Sequence, residues 1–291
     1  MIERGRFVRS LIRNKQITSS LAKCYSEAAA ADDNEKTTHF GFKTVKESDK
    51  AKEVYTVFER VANSYDRMND AMSLGIHRIW KDIFIQRLGP THGSKLLDSA
   101  GGTGDITLRY LNYLKNTRNH RGLKSSVTVC DINKNMLEVG KIRAQKQSWT
   151  SQDNVEINWK ECDAENLSLE NDSFTAYTIA FGIRNVTHID KVLSEAYRVL
   201  TPGGRFMCLE FSRVDNDALR WFYDQYSFQV IPVLGTLVVG EWQPYQYLVE
   251  SIRKFPDQEH FKDMIEEAGF RNVTYENLTR GVVAIHSGFK L

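Results

Sequence analysis

The sequence predicts an α/β fold: a mostly parallel, doubly wound sheet with helices on both faces and an antiparallel pair closing one edge. Three observations carry this. From residue 95 onward, short apolar runs alternate with longer stretches of helical periodicity, the pattern of buried parallel strands covered on both sides. A glycine-rich turn, LLDSAGGTGDIT at 96–107, joins the first run to the first helical stretch. Towards the C-terminus, FKDMIEEAGF (261–270) reads as a helix ending at Gly269; VTYENLTRGVVAIHSG (273–288) then divides into two strands about a tight turn.

The elements follow in order. Residues 1–30 have the composition of a mitochondrial presequence. Residues 1–26 hold six basic groups and one acid, with Phe7, Val8, Leu11 and Ile12 at helical spacing among arginines. Residues 31–50 are polar and aperiodic and read as a linker. The remainder, 51–291, reads as one domain. It starts with an N-terminal helical cap (51–92), containing a helix through Val54, Val57, Phe58 and Val61 and another over Ile76–Leu88. Strands are expected at Lys95–Asp98, Ser126–Asp131, Val155–Cys162, Phe174–Phe181 and Arg205–Phe211. Helices are expected at Gly104–Lys115, Lys134–Lys146 and Ile189–Leu200. An insertion at 212–256 is rich in aromatic and apolar residues.

Composition narrows the function classes. At 291 residues, 41% hydrophobic and 26% charged, the chain has ample material for a sizeable core. Its net charge of +2 resides in the first 26 residues, which carry +5 and leave −3 for the rest. Nucleic-acid binding therefore gains no support. Cys24, Cys130, Cys162 and Cys208 are widely spaced without a C-x-x-C pair, so neither a zinc site nor a disulfide framework is indicated, and no metal is expected. The longest apolar segment, 228–240, is 13 residues and contains a proline and glycines, too short to cross a bilayer.

The glycine turn sits where doubly wound sheets bind ligands, at the carboxyl end of the first strand. A phosphate-cradling loop would need a lysine after the turn, and Gly104 is followed by Asp105. A dinucleotide fingerprint would want glycine at 107, where Thr107 stands. Its acid would lie about 20 residues on, whereas Asp131 comes 29 residues after Gly102. That reading, an NAD-dependent oxidoreductase, is weakened but open. S-Adenosylmethionine carries no phosphate and bears a sulfonium cation. Close backbone approach would account for Gly101, Gly102 and Gly104. The cation tolerates Asp98 and Asp105, Asp131 can hold ribose hydroxyls, and Asp163 with Ala164 can meet the adenine. Each acid alone reads equally well as a helix cap or loop end; jointly, in register with three strand ends, they are specific. The expected fold is accordingly a class I S-adenosylmethionine-dependent methyltransferase, Rossmann-like.

Several stretches resemble one family. YDRMNDAMSLGIHRIW (65–80) and RVLTPGGRFMCLEFS (198–212) are similar to the two signatures of the ubiquinone/menaquinone biosynthesis C-methyltransferases. The glycine turn, FGIRNV (181–186) and SIRKFPDQ (251–258) also resemble family segments. The likeness runs from about residue 50 to the C-terminus, with Thr201 where many members have Lys and Ala180 where bacterial members have Ser. It implies an S-adenosylmethionine-dependent enzyme of ubiquinone biosynthesis that methylates a ring carbon of a polyprenyl benzoquinol, converting 2-methoxy-6-polyprenyl-1,4-benzoquinol to its 5-methyl product. It also implies cofactor contacts at Thr103, Asp131, Asp163 and Ala164. Membership of a multi-subunit quinone-synthesis complex, with peripheral contact on the matrix side of the mitochondrial inner membrane, follows from the same likeness, and a homo-oligomer is expected.

A quinol ring carbon becomes nucleophilic when a neighbouring phenol loses its proton, so base assistance is expected. Candidates are Tyr65, Asp66, Asn69 and His77 before the first strand, and Arg184, Asn185 and His188 after the fourth. Arg184 stays protonated and would act by stabilising the phenolate or holding a water; the alternative is a salt bridge to a loop acid. His77 titrates near neutrality and serves equally well as packing. Tyr65 would close over the methionine end of the cofactor or pack in the core. His188 reads better as the start of a helix. The apolar 219–240 segment suits either a polyprenyl tunnel or a partner surface. A catalytically worn methyltransferase serving as a scaffold is the non-enzymatic alternative.

Overall fold

The computed structural model describes residues 36–291 except 62–68, 71, 148–153, 215, 217–219, 222, 224, 231, 234–235 and 237–241. The expected presequence and the candidates Tyr65 and Asp66 lie outside the described residues.

The expected linker is partly structured. Strands β1 (Thr37–Phe40) and β2 (Lys43–Lys46) form an antiparallel hairpin that leads directly into helix α1 (Glu47–Val61). Polar composition hid this hairpin because tertiary contacts hold it. Phe40 stacks on Tyr247 at 4.2 Å between ring centroids, and the Phe42 N–H donates to Glu250 Oε2 at 2.9 Å.

Helix α2 (Ile76–Leu88) follows, ending at Gly89 in left-handed conformation. Then come β3 (Lys95–Ser99), α3 (Asp105–Lys115), β4 (Ser125–Asp131), α4 (Lys134–Lys146), β5 (Val155–Glu161), β6 (Phe174–Ala180), α5 (Ile189–Val199) and β7 (Leu200–Phe211). Helices α6 (Gln243–Lys254) and α7 (Gln258–Glu267) precede β8 (Arg271–Leu278) and β9 (Val283–Phe289). Side-chain caps fix two of the starts. Asn133 accepts from the Met136 N–H, and Asp257 from the His260 N–H.

The main sheet has seven strands in the order β5-β4-β3-β6-β7-β9-β8. Pairing is parallel from β5 to β7 and antiparallel at β7–β9 and β9–β8. Strand alternation divides the core between the two faces. Leu96, Val129 and Met207 pack on one side with Trp80 and Phe84 of α2 and Leu111 of α3. Leu97, Cys130 and Cys208 pack on the other with Val192 and Leu193 of α5 and Phe261 of α7. Strand order reverses between β3 and β6, because β4 and β6 pair along opposite edges of β3. The crevice beyond their carboxyl ends is therefore the topological switch point.

One expectation about cysteine is corrected. Cys130 and Cys162 are joined in a disulfide, while Cys208 is free and buried. Thirty-two residues separate the pair, so spacing along the chain gave no hint of it. Adjacency of β4 and β5 brings them together, with the Cys162 N–H bonded to Asp131 O at 3.1 Å.

Candidate active site

The turn after β3 places main chain and acids around a cavity of about 430 Å³. Its wall includes Asp98, Gly101, Gly102, Thr103, Asp131 and Asp163, with Ala164, Ala180 and Phe181. All three glycines expected to admit a ligand are explained at least partly by the protein itself. A Cβ on Gly101 would lie 2.6 Å from Val129 Cγ1, and one on Gly104 would lie 2.6 Å from the Trp159 ring. Gly102 and Gly104 also have φ of +52° and +74°, in the left-handed region. The glycines thus let the turn fold tightly against β4 and β5, and that folding brings bare backbone to the cavity.

Asp131 is engaged on both oxygens. Oδ2 accepts from the Gly102 N–H at 2.8 Å and Oδ1 from the Asn133 N–H at 2.8 Å. Burial raises its pKa, and those two amides partly offset the rise. A carboxylate has about four acceptor sites, so lone pairs remain for ribose hydroxyls. Asp98 is buried, bonded to Thr107 N–H and Oγ1 and to Thr178 Oγ1. Burial pushes its pKa up to about 6. Asp105 is raised by burial, but Lys81, Arg109 and Arg143 outweigh this and hold it at about 2. Thr103 Oγ1 accepts from Arg143 at 2.8 Å. Asp163 Oδ1 accepts from the Glu165 N–H at 2.9 Å and so fixes its own loop.

A second cavity, of about 250 Å³, adjoins the first. Phe58, Lys81 and Phe181 line both. Phe181 takes φ of +56° and Ala100, across the turn, +49°; such backbone costs about 1–3 kcal/mol for a side-chain-bearing residue and collects at functional sites. The walls of the second cavity are apolar and aromatic, including Met72, Trp80, Phe211, Tyr226, Tyr247 and Val282. His77 and Arg184 are its polar exceptions in the expected set, together with Asn69.

Arg184 is buried with Nη1 donating to Phe181 O at 2.6 Å and to Glu210 Oε1 at 3.0 Å. It lines the second cavity and forms a buried salt bridge, with Glu210 of β7 rather than with the loop acid of its alternative reading. Burial raises the Glu210 pKa, and Arg184 opposes that. Asn185 accepts from Tyr247 OH at 3.0 Å. His188 sits between two carboxylates, Nδ1 at 2.7 Å from Glu165 and Nε2 at 3.1 Å from Glu47. That clamp ties α1 to the loop carrying Asp163. Asp70, Lys81, Phe181, Glu210 and Glu47 were not singled out from sequence. Asp70, Phe181 and Glu210 stand within the family-like segments at 65–80, 181–186 and 198–212, which was the legible hint; Lys81 and Glu47 become neighbours only on folding.

Strand order, the glycine turn and the three strand-end acids together define an S-adenosylmethionine-dependent methyltransferase of the doubly wound class. The backbone-lined cavity and the free acceptor capacity of Asp131 fit that cofactor. Among solved structures, the fold resembles an S-adenosylmethionine-dependent methyltransferase from Thermotoga maritima, with a TM-score of 0.52 at 19% identity over 82% of this chain and 100% of that one. It also resembles phosphoethanolamine N-methyltransferase 2 of Haemonchus contortus in complex with S-adenosyl-L-methionine. There the TM-score is 0.50 at 16% identity, over 72% of this chain and 52% of that one. More specifically, the chain belongs to the ubiE/COQ5 methyltransferase family, whose model matches residues 43–290. Three relatives are named mitochondrial 2-methoxy-6-polyprenyl-1,4-benzoquinol methylase. The Drosophila melanogaster protein is 66% identical over 91% of this chain and 89% of its own length. The Homo sapiens protein is 55% identical over 87% and 84%, and that of Dictyostelium discoideum 52% over 94% and 92%.

Proposed function

We propose that this enzyme C-methylates the ring of 2-methoxy-6-polyprenyl-1,4-benzoquinol in ubiquinone biosynthesis, with S-adenosylmethionine as donor. One observation carries the substrate class: an apolar, aromatic-walled cavity adjoins the cofactor cavity across Phe58, Lys81 and Phe181. When bound, S-adenosylmethionine supplies a methyl group already activated by the sulfonium. The residues around it have three tasks. Asp131 holds the sugar. Asp98 and the turn backbone accommodate the cation. Phe58 and Phe181 orient the ring and exclude water from the junction, so that the reacting carbon is pre-aligned. Arg184, held by Glu210, places a cation beside the ring's oxygen.

Part of the aromatic insertion supports a tail-binding role, since Tyr223 and Tyr226 line the second cavity. Other large apolar side chains face outward: Trp221, Phe228 and Val233 from the insertion and Leu74 near the cavity. These suit peripheral contact with the matrix side of the inner membrane, or with partner subunits of a quinone-synthesis complex or a second copy. No helix among the described residues is long and apolar enough to cross a membrane. Residues 1–30 would be the import signal.

The test is direct. The purified chain, given S-adenosylmethionine and demethylated quinols of increasing prenyl length under reducing conditions, should form the ring-methylated product. KM should fall as the tail lengthens. Oxygen-methylated product, or no product at any length, would overturn the reading; tail-independent KM would remove the tail-binding role.

A further inference from the structure

His77 opens α2 and lines the second cavity, with its side chain almost wholly buried. Its Nε2 lies 2.9 Å from Asp70 Oδ1. Arg78 grips the same carboxylate through Nε at 2.6 Å and Nη2 at 2.7 Å. With His77 these bonds hold the Asp70 carboxyl well below its ordinary range. An ionised carboxylate only accepts, so the proton of a neutral imidazole resides on Nε2. The tautomer is thereby fixed, and Nδ1 keeps a bare lone pair. That Nδ1 is buried without a hydrogen-bond partner among the described residues. Buried acceptors left unmet are costly and rare, and where one stands in a cavity wall a ligand donor is the natural partner.

The charges around the imidazole favour its neutral form. Burial lowers its pKa first, and Lys81 lowers it further; Asp70 and Asp105 pull the other way without prevailing. Lys81 is itself bound to Asp105 at 2.7 Å. Across the cavity, Arg184 is paired with Glu210, and the Tyr247 phenol is pushed up to about 12, chiefly by burial.

The same cavity carries a complementary orphan. Arg184 Nε is a buried donor without a hydrogen-bond partner among the described residues. An unmet acceptor and an unmet donor in one apolar cavity suit a ring with two hydroxyls, one donating to Nδ1 and the other accepting from Nε. Among the described residues, the other ionisable candidates are less suited. Arginine stays protonated. Both nitrogens of His188 are held by carboxylates. Asp98 lines the first cavity and not the second.

We propose that His77 is the general base of the methylation, taking the proton of the quinol hydroxyl next to the reacting carbon, with Asp70 as its positioning residue. This rests on the quinol reading above. The O–H bond breaks, the proton goes to Nδ1, and the electron pair stays on oxygen. The neighbouring ring carbon then forms its bond to the methyl group, and the electrons of the broken carbon–sulfur bond remain on sulfur. The ring carbon's hydrogen leaves to water as the imidazolium returns its proton to the oxygen, restoring the aromatic quinol. One proton is released per turnover.

The experiment uses the full chain with a short-tailed demethylated quinol. His77→Ala should lower kcat by about 10²–10⁴-fold, the usual range for a lost general base, with S-adenosylmethionine Kd and quinol KM within a few-fold. Added imidazole should restore part of kcat to His77→Ala. In Asp70→Asn, loss of a pKa-raising neighbour should move the acid limb of the kcat–pH profile to lower pH. His77→Gln, which keeps a polar side chain of similar reach, should remain as slow as His77→Ala. Near-normal kcat in either His77 variant would overturn the proposal. So would a loss that imidazole does not relieve together with an unmoved acid limb, because His77 would then serve packing alone. A wild-type chain inactive on the quinol would instead overturn the substrate reading and this proposal with it.

Discussion

The two cavities share a wall, yet they are built by opposite means. The cofactor cavity is made largely from consecutive residues at strand ends: 98–106 after β3, 131–136 after β4 and 162–165 after β5. Its chemistry is main chain plus carboxylates. The second cavity draws on α1, the 69–81 segment, the end of β6, the insertion, α6 and the turn near Thr279. Its chemistry is aromatic surface with a few buried polar atoms. A site made from strand ends inherits its geometry from the sheet. One gathered from scattered segments must be pinned by specific tertiary contacts.

By that contrast, the largest effect comes from unpinning the second cavity. Arg184 and Glu210 are both almost wholly buried, at 4% and 1% side-chain exposure. Removing one partner strands a buried charge and costs about 3–5 kcal/mol. Arg184→Ala should therefore lower Tm markedly in calorimetry. The double variant Arg184→Met with Glu210→Leu should recover most of the loss while remaining inactive. Below its Tm, Arg184→Ala should keep cofactor affinity within a few-fold, because Arg184 does not line the first cavity. A large affinity loss there would erase the division between the cavities.

Asp131→Asn probes the other side. In the proposed assignment it removes a charged acceptor from the ribose, for which hydrogen bonds are worth about 1.5–3 kcal/mol. Titration calorimetry should show S-adenosylmethionine bound roughly ten- to a hundred-fold more weakly. Tm should fall as well, because an amide nitrogen cannot accept one of the two backbone N–H bonds that the carboxylate takes from Gly102 and Asn133.

The smallest effect sharpens the electrostatics of the first cavity. Asp98 titrates at about 6 in the fold because it is buried. Its folded pKa lies above its unfolded one, so the native state binds more protons between about pH 4 and 6, and stability from this group falls as pH rises through that window. Its charge thus opposes folding at neutral pH while favouring a bound cation. Cofactor affinity should drop a few-fold as pH falls through 6. Asp98→Asn should flatten that dependence and raise Tm at pH 7.5. A flat profile in the wild type would show that Asp98 does not feel the sulfonium.

The same contrast explains what could be read in the sequence. β3, α3, β4 and α4 follow from local periodicity and from caps such as Asn133, and the strand-end acids fall into register with them. The β1–β2 hairpin did not, because Phe40 and Phe42 find their partners more than 200 residues away, at Tyr247 and Glu250. The Cys130–Cys162 pair, the Glu210 partner of Arg184 and the carboxylate clamp on His188 were hidden for the same reason. The glycine turn was located correctly, but the need for its glycines lies largely in Val129 and Trp159, two strands of neighbours that no local pattern reveals.

Phe181 lies on the boundary of both cavities in a left-handed backbone conformation, with Phe58 and Lys81 beside it. Such a thin divider makes the pair addressable by one bridging molecule. An adenosine joined through a short tether to a prenylated phenol would occupy both compartments at once, its second half arriving at high effective concentration. Inhibitors of that design should gain selectivity over methyltransferases whose acceptor pocket opens elsewhere.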